Sequence, residues 1–295
     1  MPPLHEPVMV PEVLEHLDPA RGGLYVDCTV GLGGHTRALL DAGASRVIGL
    51  DRDTAALAMA RESSQAYGDR VELVHSDYRA LTAVLDARGI GSMEGILADL
   101  GVSSLQLDAP DRGFSFRRDE PLDMRMDQSQ GPTAADLLRQ AGEEELANVI
   151  FQHGEERYSR RIARAIVAAR RATEIATTGQ LAQLVRRAVP HRGYQRIDPA
   201  TRTFQALRIW VNRELEQLDE FLGTACSRLL TGARLVVITF HSLEDRIVKH
   251  AFRALAQGRA ALQVLTKRPI VPGDAEIERN PRARSAKLRA IERLA

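Results

Sequence analysis

Over the first hundred residues, short apolar runs alternate with helical patterns. Residues 24–28 (LYVDC) read as a buried strand that ends at a glycine-rich turn. Residues 36–42 then place apolar side chains at helical spacing, and residues 46–51 (RVIGLD) form a second strand with an acid at its end. A helical pattern over 54–66 leads to a third strand at 71–75 (VELVH) and a fourth at 95–100 (GILADL). Strand and helix in this rhythm predict βαβ units, right-handed crossovers and a parallel sheet.

The rhythm stops after about residue 106. Residues 108–131 carry turn signals, and helical patterns follow at 134–138, 143–153, 157–172, 178–188 and 203–221. A strand returns at 234–240 (RLVVITF), and 261–267 with 286–292 are expected to form an antiparallel pair. The expected fold class is α/β: a doubly wound, Rossmann-like sheet with an inserted helical domain, its last two strands closing the sheet in the manner of methyltransferases. The sheet domain is expected to be discontinuous, over 1–105 and 206–295, with the helical insertion at 106–205.

Composition narrows the picture only slightly. A chain of 295 residues with 44% hydrophobic content holds one large core or two modest ones. Charges balance to a formal +1, so whole-chain charge does not point to a nucleic acid. Two distant cysteines, Cys28 and Cys226, make neither a disulfide framework nor a zinc spacing. The first residues lack the basic-then-apolar order of a signal peptide, and no stretch approaches the roughly 20 apolar residues of a membrane span. A soluble cytoplasmic protein, away from any membrane, is the expectation.

The run Asp27-Cys-Thr-Val-Gly31-Leu-Gly33-Gly34-His35 lies between a strand and a helix. Glycine there lets the backbone turn sharply and approach a ligand, and the helix start offers free N–H groups. Asp51 follows Gly31 by twenty positions and ends the second strand, where an acid can accept from both hydroxyls of a ribose. The alternative is a tight structural turn with a helix-capping acid. A nicotinamide dinucleotide wants a third glycine where Thr36 stands, so that oxidoreductase reading is weakened. S-adenosylmethionine has no phosphate and does not need it. His35 either touches the cofactor or simply occupies the first helical turn.

Asp99 closes the fourth strand, where ligands of open α/β sheets gather. Methylating an exocyclic amine requires acceptors that localise a lone pair otherwise delocalised into the ring, and in-line placement against the methyl. Asp99 suits that task, or with Ser103 and Ser104 caps the next turn. Gln106 is able to hydrogen-bond a ligand on either side. In His241-Ser-Leu-Glu-Asp245, three adjacent residues do not line up as a hydrolase triad, whereas Ser242 and Asp245 match a capping box. His241 remains a candidate at the mouth of the sheet.

The window Arg157–Arg213 contains thirteen arginines against Glu174 and Asp198, with Glu155 and Glu156 just before it. Arg157, Arg160, Arg161 and Arg164 share one helix face, and Ile162, Ala165, Ile166 and Ala169 form another. Such a stripe is either a solvated face or a phosphate-tracking surface. Arg279, Arg282, Arg284, Lys287 and Arg289 form a second basic group. Tyr158, Tyr194, Phe204 and Trp210 interleave with arginines and have rings able to stack on bases, although Phe204 and Trp210 read better as core.

Several strings now stand in order: GGHTRALL, IGLDRD, DLGVSS, DRGFSF, PLDMRMD, GEERYSRRIARAI, ATRTFQALRI, ITFHSLEDRIVK and NPRARSAKLR. From about His5 to Leu294 the chain closely resembles the bacterial ribosomal RNA small subunit methyltransferase H family. The resemblance implies transfer of a methyl from S-adenosylmethionine to N4 of a cytidine in the decoding region of 16S rRNA. It implies cofactor contacts at Gly33, Gly34, His35, Asp51, Tyr78, Asp99 and Gln106, and the assembled small ribosomal subunit as partner. It makes the helical insertion the RNA-recognition domain. No metal is expected, because a sulfonium already carries an activated methyl. A non-catalytic RNA-binding protein on the same fold is the remaining rival. Leu105 stands where the family commonly has proline, Cys28 where a smaller residue is usual, and Tyr78 where phenylalanine is frequent.

Overall fold

The structure, a computed structural model, describes residues 6–190, 197–258 and 261–294. The chain forms two compact units: Met1–Gly101 with Leu215–Ala295, and Val102–Glu214.

The first unit is built on seven strands: β1 (Leu24–Asp27), β2 (Arg46–Asp51), β3 (Val71–His75), β4 (Met93–Asp99), β5 (Leu229–Thr239), β6 (Leu262–Val264) and β7 (Lys287–Arg293). Their order is β3-β2-β1-β4-β5-β7-β6. The first five run parallel, β7 pairs antiparallel with β5, and β6 antiparallel with β7. The strands alternate between two apolar faces. Val26, Ile48, Ile96, Leu235 and Val237 join one core, while Tyr25, Val47, Leu97, Val236 and Ile238 join the other. A sheet covered on both faces is what near-continuous apolar strands require.

Helices cover those faces: α1 (Val10–Leu17), α2 (Gly34–Asp41), α3 (Thr54–Ser63) and α4 (Leu81–Asp86) before the second unit. The second unit holds α5 (Ser104–Asp108), α6 (Ala134–Gln140), α7 (Glu143–Gly154), α8 (Ser159–Arg170), α9 (Thr178–Ala188) and α10 (Ala200–Asn212). The first unit then resumes with α11 (Leu218–Ser227), α12 (Ser242–Gln257) and α13 (Asp274–Arg279). The second unit has its own apolar core, in which Leu146, Ile150, Ile162, Ile166, Leu181 and Leu207 are fully buried.

Three expectations are corrected here. The single helix expected over 203–221 is two, because Arg213 and Gln217 adopt left-handed backbone at φ 52° and 56°. The unit boundary lies at Glu214 rather than 205, since α10 belongs whole to the second unit. The strand expected from 234 begins at Leu229, paired with Met93 across a register shift. The reading in which a serine caps the turn after Asp99 holds for Ser103, which joins Gln106 in a reciprocal cap on a five-residue helix.

Candidate functional site

The sheet order reverses on either side of β1, between β2 and β4, and open α/β sheets bind ligands at such a switch point. The glycine loop leaves the carboxyl end of β1 and enters α2. Gly31 and Gly33 take left-handed backbone, at φ 53° and 78°, which a side chain would strain. A Cβ on Gly31 would meet nothing within 4 Å, so the loop crest faces open space. The loop is tied to β2 at three points. The Val30 N–H donates to the Leu50 carbonyl at 3.0 Å. The Gly31 N–H donates to Asp51 Oδ2 at 2.8 Å. Gly49 lies under Val30, where a Cβ would fall 2.3 Å from Cγ2.

Asp51 also accepts from the Asp53 N–H at 2.8 Å. Each of its oxygens therefore has one backbone donor and retains a lone pair for a ligand hydroxyl. Burial pushes its carboxyl up to about 6, against the lowering effect of those two N–H groups.

A second set of contacts joins β1, α2 and β4. Asp27 is fully buried; it accepts from the Thr36 hydroxyl at 2.8 Å and the Thr29 N–H at 3.2 Å. Burial raises its carboxyl above the ordinary value, opposed by His35, Thr36 and Thr29. Thr29 Oγ1 in turn accepts from the Asp99 N–H at 2.6 Å. His35 Nε2 lies 3.5 Å from Asp99 Oδ2. Burial alone would lower the imidazole, but the Asp99 carboxylate, helped by Asp27 and Glu276, raises it overall. Asp99 Oδ1 is buried and has no hydrogen-bond donor among the described residues. Leaving such an acceptor unmet costs about 1–3 kcal/mol or more, a pattern that marks a place for an incoming donor.

Tyr78 follows β3 and packs on Phe221, ring centroids 4.7 Å apart. Its neighbour Asp77 escaped the sequence reading. Asp77 accepts from the Arg79 backbone and guanidinium at 2.8–2.9 Å, and Arg52 Nη1 lies 3.3 Å away. Burial would raise this carboxyl; the two arginines hold it below the ordinary range. The signal was available, since Asp77 trails β3 as Asp51 and Asp99 end their strands. Cys28 is buried, and burial with nearby Asp27 and Asp77 pushes its thiol well up, so it is no nucleophile at neutral pH.

The other expected residues have varied surroundings. Gln106 belongs to the second unit, where its side-chain oxygen accepts from the Ser103 N–H at 3.0 Å. His241, not Ser242, is the N-cap of α12; its Nδ1 accepts from the Glu244 N–H at 3.4 Å. Asp245 instead binds Arg289 at 2.7 Å and Lys287 at 3.6 Å, so part of the C-terminal basic group is structural. Arg157, Arg160, Arg161 and Arg164 are all exposed on the second unit. Arg157 lies over the Tyr158 ring at 4.7 Å, and Arg164 is 3.4 Å from Glu143. Phe204 is core, packed edge-on against Phe116, and Trp210 borders the same core. Tyr194 lies outside the described residues.

A doubly wound sheet with a reversed last strand, a glycine crest tied to an acid on β2 and an unmet acceptor on β4 define a Rossmann-like methyltransferase. Residues 3–294 match the model of the MraW methylase family. The chain belongs to that family of S-adenosylmethionine-dependent enzymes. Family membership removes the support for a nicotinamide oxidoreductase. Relatives named "Ribosomal RNA small subunit methyltransferase H" include one from Cyanothece sp., 55% identical, with 99% of this chain and 95% of that protein aligned. Another, from Sorangium cellulosum, is 51% identical over 98% of this chain and 91% of that protein. A solved rRNA methylase from Streptococcus thermophilus aligns at TM-score 0.43 and 12% identity, over 97% of each chain. No helix among the described residues is long and apolar enough to cross a membrane.

Proposed function

We propose that this protein methylates the N4 amine of a cytidine in the decoding region of small-subunit rRNA. The observation that carries the reading is Asp99 Oδ1, a buried acceptor without a donor among the described residues, at the switch point of the sheet. A cytosine amine supplies the donor that this oxygen lacks. By accepting one N–H, Asp99 would orient the amine and draw its lone pair out of conjugation with the ring. The Thr29 hydroxyl fixes the Asp99 backbone, and His35 sits against the other carboxylate oxygen.

The cradle suits S-adenosylmethionine: an open glycine crest, and an acid with free lone pairs twenty residues on. When bound, that cofactor supplies a methyl activated by its sulfonium. Asp51 would take the ribose hydroxyls, Tyr78 would pack against adenine, and Gly33, Gly34 and His35 would border the methionine portion. Gln106 is assigned to the cofactor by resemblance alone. His241 is the weaker candidate at the reacting centre, because its Nδ1 already serves as a cap. The relatives' names support an rRNA substrate, and the exposed face of Arg157, Arg160, Arg161 and Arg164 supplies charge for its phosphates. The small ribosomal subunit is the proposed partner and the cytoplasm the proposed compartment.

Mass spectrometry of unmethylated small-subunit rRNA incubated with the protein and labelled cofactor tests this. A single labelled cytidine, modified on N4, is expected. Label on another base, on a ring atom, or on protein would overturn the assignment. Subunits bound without any label would favour a non-catalytic binder.

A further inference from the structure

The arginines of the second unit fall into two sets. Most are engaged: Arg125 with Asp123 at 2.7 Å, Arg186 with Asp198 at 2.8 Å, Arg208 with Glu214 at 2.8 Å, and Arg170 with the Leu138 and Ala141 carbonyls. The side chains of Arg117, Arg160, Arg161, Arg171 and Arg187 are exposed and have no ion-pair or hydrogen-bond partner among the described residues. Two of these five, Arg161 and Arg187, border one groove.

The groove runs between α8 and α9 and encloses roughly 550 Å³. Arg161 and Ala165 contribute from α8; Gln180, Gln183, Leu184 and Arg187 contribute from α9. The spacings follow from helical geometry, i and i+4 on one side and i, i+3, i+4 and i+7 on the other. Both helices are held firmly. Ile162, Ala163 and Ile166 bury one face of α8, and Leu181, Ala182 and Val185 bury one face of α9. Thr177 and Gln180 cap α9 reciprocally. The walls are therefore set before any ligand arrives.

We infer that this groove binds a single-stranded segment of RNA, with Arg161 and Arg187 gripping its phosphodiester backbone. The inference rests on the rRNA reading above and adds a second contact region for that substrate. Guanidinium forks match phosphate oxygens bidentately, and among the described residues neither fork has a carboxylate to release first. The short Ala165 and the Leu184 side chain leave an apolar floor on which a flat base can lie. Gln180 and Gln183 bring donors and acceptors that suit base edges.

The test compares wild type with an Arg161→Gln, Arg187→Gln double variant, titrated against unmethylated small subunits and against a naked small-subunit rRNA transcript. Both residues are exposed and have no side-chain partner among the described residues, so the fold should persist, with unchanged melting as the check. Expected is a loss of about tenfold or more in affinity for both targets. The slope of log affinity against log salt should flatten by about 1.4, the value for two phosphate contacts on a single strand. Arg139→Gln, whose guanidinium faces Asp136 and Glu174, should leave both affinities as they were. Replacing both groove arginines by lysine should restore the salt slope. Unchanged subunit binding by the double variant would overturn the proposal. So would weakened subunit binding with transcript binding like that of wild type, or with no transcript binding by either, since the groove would then serve a protein of the subunit. If wild type transfers no methyl to rRNA, the proposed reaction falls, while the groove is still judged by binding alone.

Discussion

The two units use polar side chains in opposite ways. At the carboxyl ends of β1, β2 and β4 stand three acids fixed by neighbouring groups: Asp27 accepts from the Thr29 N–H and the Thr36 hydroxyl, Asp51 accepts from the Gly31 and Asp53 N–H groups, and Asp99 donates its own backbone N–H to the Thr29 hydroxyl. On α8 and α9, Arg160, Arg161 and Arg187 stand in solvent with no side-chain partner among the described residues. Buried polar groups derive their worth from geometry, because each misplacement leaves a costly unmet bond. Exposed cations derive theirs from number and sign, and salt screens them. Changes in the first region should be severe and local, while changes in the second should be graded and salt-dependent.

The largest effect is expected at Asp99. Asp99→Ala should lower the methyl-transfer rate about 10²–10³-fold in single-turnover assays, in line with removal of one oriented electrostatic partner. Subunit affinity should not move. A loss confined to cofactor affinity would sharpen the contrast differently, by tying Asp99 to the cofactor rather than to the amine.

Next comes the pH response of Asp51. Its folded pKa of about 6 lies above the unfolded value near 4. The stability it contributes is thus fully present below about 4 and lost as pH rises through 6. Ribose hydroxyls donate to the ionised form, so cofactor affinity should run the other way. Calorimetry with S-adenosylhomocysteine should show affinity falling by up to about tenfold per pH unit below 6. Asp51→Asn should flatten that dependence; a slope that survives in the variant would assign the titration elsewhere.

The smallest effect separates two arginines on one helix. Arg160→Gln should flatten the salt slope of subunit binding by about 0.7–0.9. Arg164→Gln should do less, because its guanidinium already faces Glu143. Equal effects would mean that pairing is irrelevant to the surface.

Much of the first unit was legible because its signals are local. β2 and β3 match their apolar runs to the residue, and the glycines of the loop are demanded by backbone conformation at Gly31 and Gly33. What was hidden depends on partners distant in sequence. The early start of β5 is set by pairing with Met93, and Gly232 interrupts its apolar pattern. Tyr78 gains its place from Phe221, far along the chain. The cap of α12 was read one residue late, because an imidazole acceptor at His241 imitates the usual hydroxyl. In the second unit, periodicity fixed the face of α8, yet only the contacts reveal which arginines are free.

The insertion between β4 and β5 has a kinetic side. These neighbours in the sheet pair Met93 with Leu229, so the central ladder cannot close until the whole second unit has been synthesised. Closing a flexible loop of that length costs about 4 kcal/mol of chain entropy beyond a constant term. The second unit has its own core and a predominance of local, helical contacts, which favour early folding. On the ribosome, order of emergence and order of assembly would then coincide: β1 to β4 wait, the insertion condenses, and β5 completes the sheet.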